Sequence, residues 1–262
     1  EFGKFLVGSV DATNMSVHSG YDVPAYKQKR LPAPKLENNK VYIAYTMSDG
    51  DNIPVLTSSN WPQLWNQPER GQFPIGWTIS PSSGILIPDV MDYYYSTASP
   101  NDSFLCAVSG VGYTYSNVYG KRFKPADRTS AFDGFLDLTE KYMKQMDLDI
   151  VCPSGSGLPE IRRYAQNLPS AKSIFADYGR AVTNYEDATH VTARNLPVFH
   201  SVSTWDPMAD REKQISKLVD QIKSMAPSKY RPAFMHVFIC NWFWDLSGLK
   251  EVLNRLGPEY VA

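Results

Sequence analysis

What most constrains this chain is an alternation that runs most of its length. Short runs of β-branched, aromatic and aliphatic residues are followed by stretches whose apolar residues recur at helical spacing. Strand-like runs cover 5–10, 41–47, 75–79, 104–109, 149–152, 173–176, 198–202 and 234–240. Between them, Phe132, Phe135, Leu136, Tyr142, Met143 and Met146 fall on one helical face. Ile215, Leu218, Val219, Ile222 and Met225 do the same, and so do Leu249, Val252, Leu253 and Leu256. Ser130 with Asp133 predicts a capping box, Asp206-Pro207 an N-cap with a first-turn proline, and Gly257-Pro258 a helix stop. Units of this kind pack as a parallel sheet with crossover helices. About eight strands suit a TIM-barrel-related (β/α) barrel better than the alternative, an open doubly wound parallel sheet.

Composition narrows the classes. With 43% hydrophobic and 13% aromatic residues the chain can bury a full core, which sets it apart from a disordered one. Twenty-six Lys+Arg against 27 Asp+Glu leave a net charge of −1, so the basic footprint of a general nucleic-acid binder is missing. No apolar run reaches the roughly 20 residues a membrane span requires. Cys106, Cys152 and Cys240 each sit in an apolar run without a CxxC pair, as buried inert thiols do.

The chain divides into 1–40 and 41–262. The first part holds the opening strand and an excursion, 14–39, marked by Pro24, Pro32, Pro34 and a KQKR run; it reads as the remnant of an upstream domain. No signal peptide opens the chain, so either a leader was removed or the sequence begins mid-protein. The second part is the barrel-like domain, the one expected to carry any catalytic site. Tyr260-Val261-Ala262 reads as a strand just beginning, which points to truncation at the C-terminus.

Parallel α/β folds place their sites at the C-terminal ends of strands. Those ends here are polar: Ser48 to Asn52, Ser80-Pro81, Ser109 to Tyr115, Pro153 to Gly157 with Glu160, Asp177-Tyr178, His200 to Asp206, and Asn241-Trp242. Carboxylates, aromatics and glycines on one face suit a sugar-processing cleft, where flat rings stack on pyranoses and carboxylates do acid/base work. The glycine turn at 110–112 is no dinucleotide fingerprint, because Tyr115 stands at the third glycine position.

The motif SGVGYTY at 109–115 resembles the name-giving motif of the GxGYxYP family of glycoside hydrolases. MSDGDN at 47–52, GWTISP at 76–81, DVMDYYYSTASPND at 89–102 and VSTWDP at 202–207 carry the same resemblance, from about Val41 to the end. Ser116 departs from it, standing where the family motif has proline. The resemblance implies a barrel-like fold, a glycan substrate and export to an extracellular or periplasmic space.

On this reading Asp51 and Asp49 are the first candidates for the catalytic carboxylates, with Glu160 and Asp177 next. The alternatives are an Asx-turn for the pair and a helix-dipole role for Glu160. Asn52 orients substrate, Tyr113, Tyr115 and Trp77 bind the sugar, and Trp205 and Trp242 are further platforms. His200 and His236 line the cleft or join Asp49 or Asp51 in holding a metal. No cofactor is expected, although a divalent cation near Asp49 and Asp51 is compatible with the sequence. Two other functions fit the same residues: a metal-assisted hydrolase such as a polysaccharide deacetylase, and a non-catalytic carbohydrate-binding domain.

Overall fold

A computed structural model of the chain describes all residues except 1–3, 5, 10–12, 24, 59, 193, 203–209 and 227, and excludes the side chains of 58, 177, 179–181 and 228. The strands are β1 (Val41–Met47), β2 (Ile75–Ile79), β3 (Asp102–Cys106), β4 (Ile150–Val151), β5 (Ser173–Ala181), β6 (Thr189–Val191), β7 (Pro197–Ser201), β8 (Ala233–Ile239) and β9 (Tyr260–Val261). The helices are α1 (Met15–His18), α2 (Ile53–Ser58), α3 (Asn60–Trp65), α4 (Ser83–Leu86), α5 (Pro88–Thr97), α6 (Pro125–Gln145), α7 (Leu158–Asn167), α8 (Arg211–Met225) and α9 (Leu246–Leu256).

Seven parallel strands run β1-β2-β3-β4-β5-β7-β8 and return to β1, closing a barrel and setting aside the open-sheet alternative. The tightest seam is β1 on β8, paired from Val41–Ala233 to Met47–Ile239. Two strands lie outside the ring: β6 antiparallel to β7, and β9 beside the start of β1. The run expected as a strand at 5–10 is not one among its described residues, which make only a single bridge, Gly8 to Asn52.

Both faces of most barrel strands are largely buried, so the strands are predominantly apolar, with buried polar positions such as Thr46, Thr78 and His236. Alternate residues go to two different cores. Val41, Ile43, Tyr45 and Met47 of β1, with Ala233, Met235, Val237 and Ile239 of β8, pack outward under the helices. Inside, Leu105, Ala107, Cys152 and Phe175 form a second cluster with Ala44 and Phe199. His236 stacks on Phe175 at 4.4 Å, and Phe238 meets Tyr178 edge-on at 4.7 Å.

Helix boundaries follow their caps, with two departures from expectation. Helix α6 starts at Pro125, so Ser130 and Asp133 lie inside it and form no capping box; the proline at its first turn sets the start instead. Asp133 pairs with Arg163 on α7. The expected cap at Asp206-Pro207 lies outside the described residues, and α8 is capped by Asp210, which accepts the Lys213 N–H at 3.1 Å. Asp245 caps α9 through the Gly248 N–H at 2.7 Å, and Arg211 clamps that carboxylate at 2.8 and 3.0 Å, joining α8 to α9.

The excursion before β1 is docked on the barrel. Tyr26 is buried and donates to the Gly84 carbonyl at 2.9 Å. Gln28 reads the backbone of β3 directly, accepting from Phe104 N–H at 2.7 Å and donating to its carbonyl at 3.2 Å. At this lower end of the barrel lies an apolar cavity of about 630 Å³ lined by Tyr42, Phe175, Phe199 and Phe234. It is at the opposite end from the polar cluster described next.

Candidate active site

The end of β1 is where the polar cluster begins. Ser48 extends the ladder by donating its N–H to the Ile239 carbonyl at 2.9 Å. Asp49 then turns left-handed at φ 67°, a conformation that aspartate tolerates better than most residues. Gly50 follows with no room for a side chain: a Cβ would sit 1.9 Å from the Thr78 carbonyl and 2.4 Å from the Trp61 ring. This pinned turn presents two carboxylates at the barrel's upper end.

The two carboxylates are held differently. Asp49 Oδ2 accepts from Ser48 Oγ at 2.7 Å, and the Trp242 side chain is near enough to favour the charged carboxylate. Burial raises its pKa, while those two donors oppose the rise. Asp51 is 6% exposed, and its Oδ1 has no hydrogen-bond partner. Burial first, and the neighbouring Asp49 charge second, push its pKa up to about 7, against the pull of a bond from Tyr178. Burial and the Asp49 charge thus keep Asp51 protonated to higher pH than an ordinary aspartate, while the donors around Asp49 favour its charged form.

Tyr178 was not singled out from sequence, yet it is the keystone here. Its hydroxyl accepts the Asp49 N–H at 2.7 Å, lies 3.5 Å from Thr78 Oγ1, and is near enough to Asp51 to oppose the rise in that carboxyl's pKa. The sequence signal was available, since Tyr178 follows Asp177 at the end of a strand-like run.

The glycine loop after β3 reaches the same place. Tyr113 has its phenol pKa raised, mainly by burial, then by the neighbouring Tyr115 phenol and by the charges of Asp51 and Asp49. Its ring meets Tyr115 edge-on at 6.0 Å. The loop is rigidly footed: Tyr164 donates to the Ser109 carbonyl at 2.7 Å, and Ser109 Oγ accepts the Ser154 N–H at 2.9 Å. A strand of backbone from the N-terminal part ties the two loops together. Tyr113 N–H donates to Leu6 at 2.7 Å, Ile53 N–H donates to Gly8 at 3.0 Å, and a Cβ on Gly8 would stand 3.6 Å from Asp51 Oδ2.

Ser116 exploits what proline lacks. It is 2% exposed, donates its N–H to the Ser154 carbonyl at 2.9 Å, and shares a 2.9 Å hydroxyl contact with Tyr164. Ser116→Pro, although it restores the family letter, should cost about 2 kcal/mol through the orphaned carbonyl. That corresponds to a melting temperature lower by roughly 4–8 °C. A calorimetric scan showing an unchanged or raised melting point would contradict these bonds as the loop's foundation.

The other candidates are sorted by position. Trp77 is fully buried on the outer face of β2, wedged against Trp61 and Trp65, with its indole N–H on Asp102 Oδ1 at 2.9 Å; it is no sugar platform. Glu160 accepts the Gly157 N–H at 3.0 Å as the capping-box residue of α7, which removes it from the acid/base set. His236 is inside the barrel, bonded to Thr46 at 2.6 Å through Nε2, and burial depresses its pKa to about 3. His200 stacks on His190 at 5.4 Å. Trp242 and Tyr115 are 48% and 50% exposed, so both offer ring surface to a ligand. Asn52 has a buried Oδ1 without a partner. Asp177 lies on β5, but its side chain is outside the description, as is Trp205 altogether. Among the described residues no group of three His, Cys, Asp or Glu side chains could hold a metal ion.

The site and the barrel together define an α/β-barrel protein with an acidic, aromatic-rimmed upper end. The sequence profile described as "GxGYxYP putative glycoside hydrolase C-terminal domain" matches residues 39–262, and the chain belongs to this family. Among solved structures, a "putative hydrolase from Bacteroides thetaiotaomicron VPI-5482" superposes with a TM-score of 0.78 at 24% identity, over 95% of this chain. The chain spans about half of that protein, 48% of its length. Among curated proteins nothing matches.

Proposed function

We propose that this chain hydrolyses glycosidic bonds, with Asp51 as the proton donor to the leaving oxygen and Asp49 as its ionised partner. The observation that carries this reading is Asp51 itself: a buried carboxyl at the end of a barrel strand, pKa up to about 7, one oxygen unpartnered, beside a second carboxylate. A general acid works best when its pKa is near the working pH, and glycoside hydrolysis needs two carboxyl groups in unlike states. Asp49 serves either as nucleophile or as the base for an attacking water. Tyr113, Tyr115 and Trp242 supply the aromatic surface on which a pyranose stacks. The family description supports the same class, and the structural neighbour is itself described as a "putative hydrolase". The family resemblance suggests an extracellular or periplasmic place of action.

The test is a panel of poly- and oligosaccharides assayed for new reducing ends. Asp49→Asn is expected to lower turnover by about two orders of magnitude while glycan binding, measured by calorimetry, persists. Chelation should leave the rate unchanged, since no cluster of metal-ligating side chains surrounds the pair among the described residues. Full loss on chelation would transfer the assignment to a metal-assisted hydrolase. Binding with no turnover of any glycan would leave a carbohydrate-binding domain.

A further inference from the structure

The barrel is hollow at its lower end. Along β1 the inward residues Tyr42 and Ala44 are both half-buried, and the next one up, Thr46, is sealed at 2% exposed. On β8 the inward Phe234 is 36% exposed, while His236 above it is 2% exposed. Thr46 and His236 bond at 2.6 Å, and Phe175 stacks on the imidazole at 4.4 Å, so a closed layer roofs the hollow. Above that layer come the Phe238–Tyr178 contact and then the Asp49–Asp51 turn. Barrels of this class are filled by layers of bulky side chains. Here Ala44 leaves a methyl group where a branched residue would complete the lower layer. The resulting cavity of about 630 Å³ has the size and apolar lining of a small-molecule site.

Its walls and mouth say what it takes. Tyr42 and Phe234 stack at 5.4 Å, and Phe175 meets Phe199 edge-on at 5.6 Å. Four rings give flat apolar walls that suit another aromatic plane. At the mouth, Arg30 and Lys172 converge on Asp149 at 3.4 and 2.8 Å, and all three line the cavity. Arg30 also pairs with Asp147 at 2.8 Å, and Lys27 stands 3.8 Å from that carboxylate. Three cations thus share two carboxylates, which leaves positive charge in surplus over an apolar interior. Lys172, with its side chain 73% exposed, is the cation that can turn to a ligand without breaking a buried bond. We infer that this hollow is a second binding site, separate from the acid pair, for an aromatic carboxylate: its rings lie among Tyr42, Phe175, Phe199 and Phe234, and its anionic group is at the mouth beside Lys172. The site stands whether or not the acid pair hydrolyses glycans.

The probe is 2-naphthoate, titrated into the native chain by calorimetry, where it should bind in the micromolar range. The neutral 2-naphthylmethanol has the same rings without the charge and should bind about 10-fold more weakly. Ala44→Leu fills the hollow from inside: its melting temperature should match or exceed the native one, and its affinity for naphthoate should fall about 30-fold or more. Lys172→Met should melt like the native chain, lose about 10-fold on naphthoate and keep its affinity for the alcohol. Should Ala44→Leu fail to fold, Phe234→Ala removes a wall at the exposed mouth and should weaken naphthoate about 10-fold. The inference is overturned if the native chain does not bind naphthoate, if Ala44→Leu or its substitute Phe234→Ala binds it undiminished, or if acid and alcohol bind equally well. A dimer in sedimentation that excludes naphthoate would assign the hollow to a second copy of the chain and overturn it too.

Discussion

Asp51→Asn is expected to melt well above the native chain at pH 8 and, on any unactivated glycan the native chain cleaves, to lose about 1,000-fold in kcat. Both effects have one cause. The carboxyl is buried, and its pKa is raised from 3.8 to about 7, so the folded chain holds a proton that the unfolded chain has released. Where the folded state binds more protons, stability falls as pH rises. Asp51 therefore weighs nothing against folding below about pH 4. Its cost grows through the window up to about pH 7 and is constant above it, where it amounts to roughly 4 kcal/mol. Asparagine carries no charge, so at pH 8 the variant escapes that cost and gains up to about 10 °C in melting temperature. At pH 4 the two chains should melt together.

Activity follows the proton in the opposite sense. Native kcat should fall as pH rises past about 7, when Asp51 loses the proton it must deliver. Asparagine removes that limb of the profile along with most of the rate. A substrate with a 4-nitrophenyl leaving group needs little protonation, so its hydrolysis should drop far less, about tenfold. A merely structural Asp51 would depress both substrates alike. An Asp51→Asn chain that melts lower at pH 8, or that keeps its kcat on the unactivated glycan, would sink the assignment of proton donor.

How much of this could be read in advance depends on which physical rule governs each residue. Strands β1 and β2 were legible to the residue, 41–47 and 75–79, because each is a short apolar run between turn-forming residues. Closure was less so, since the β1–β2 pairing rests on just Thr46–Gly76 and Met47–Trp77. Period-two patterning names two faces of a strand, but in a barrel both are buried, and nothing in Trp77-Thr78 says which one points inward. The structure gives the inside to Thr78, against Tyr178, and the outside to Trp77. Helices α2 and α3 went unread because prolines, serines and asparagines break up 53–65 into what resembles loop. The acid pair was visible as a strand ending in Asp-Gly-Asp. That Asp51 is kept from forming a full set of bonds is a property of packing, not of spacing.

Arg70→Met should be among the most destabilising single changes in the chain, costing about 3–5 kcal/mol. Asp102, at the start of β3, is 1% exposed and is ringed by donors: Arg70 Nη1 at 2.7 Å, the Trp77 indole at 2.9 Å, and the Ser99 N–H and hydroxyl at 2.8 and 2.7 Å. Arg70 is the ion-pair partner of this carboxylate, and it also lies over the Trp65 ring at 4.4 Å and donates to the Trp65 carbonyl at 2.6 Å. Methionine keeps much of the stem's packing and leaves a buried negative charge with neutral donors alone. Asp102→Asn should cost less, because the arginine left behind is at the edge of the fold and can reach water: its side chain is 19% exposed against 0% for Asp102. Combining the two should recover much of the loss, giving a coupling of at least about 1.5 kcal/mol in a double-mutant cycle. The consequence reaches the Asp49–Asp51 turn through one residue: Trp77 is anchored by Asp102, and the carbonyl of the next residue, Thr78, is the wall against which Gly50 turns. Partial melts of Arg70→Met should therefore lose glycan binding before global unfolding. Denaturant titrations in which Arg70→Met falls within about 1 kcal/mol of the native chain, or in which the two substitutions simply add, would show that this buried pair does not hold the outer core together.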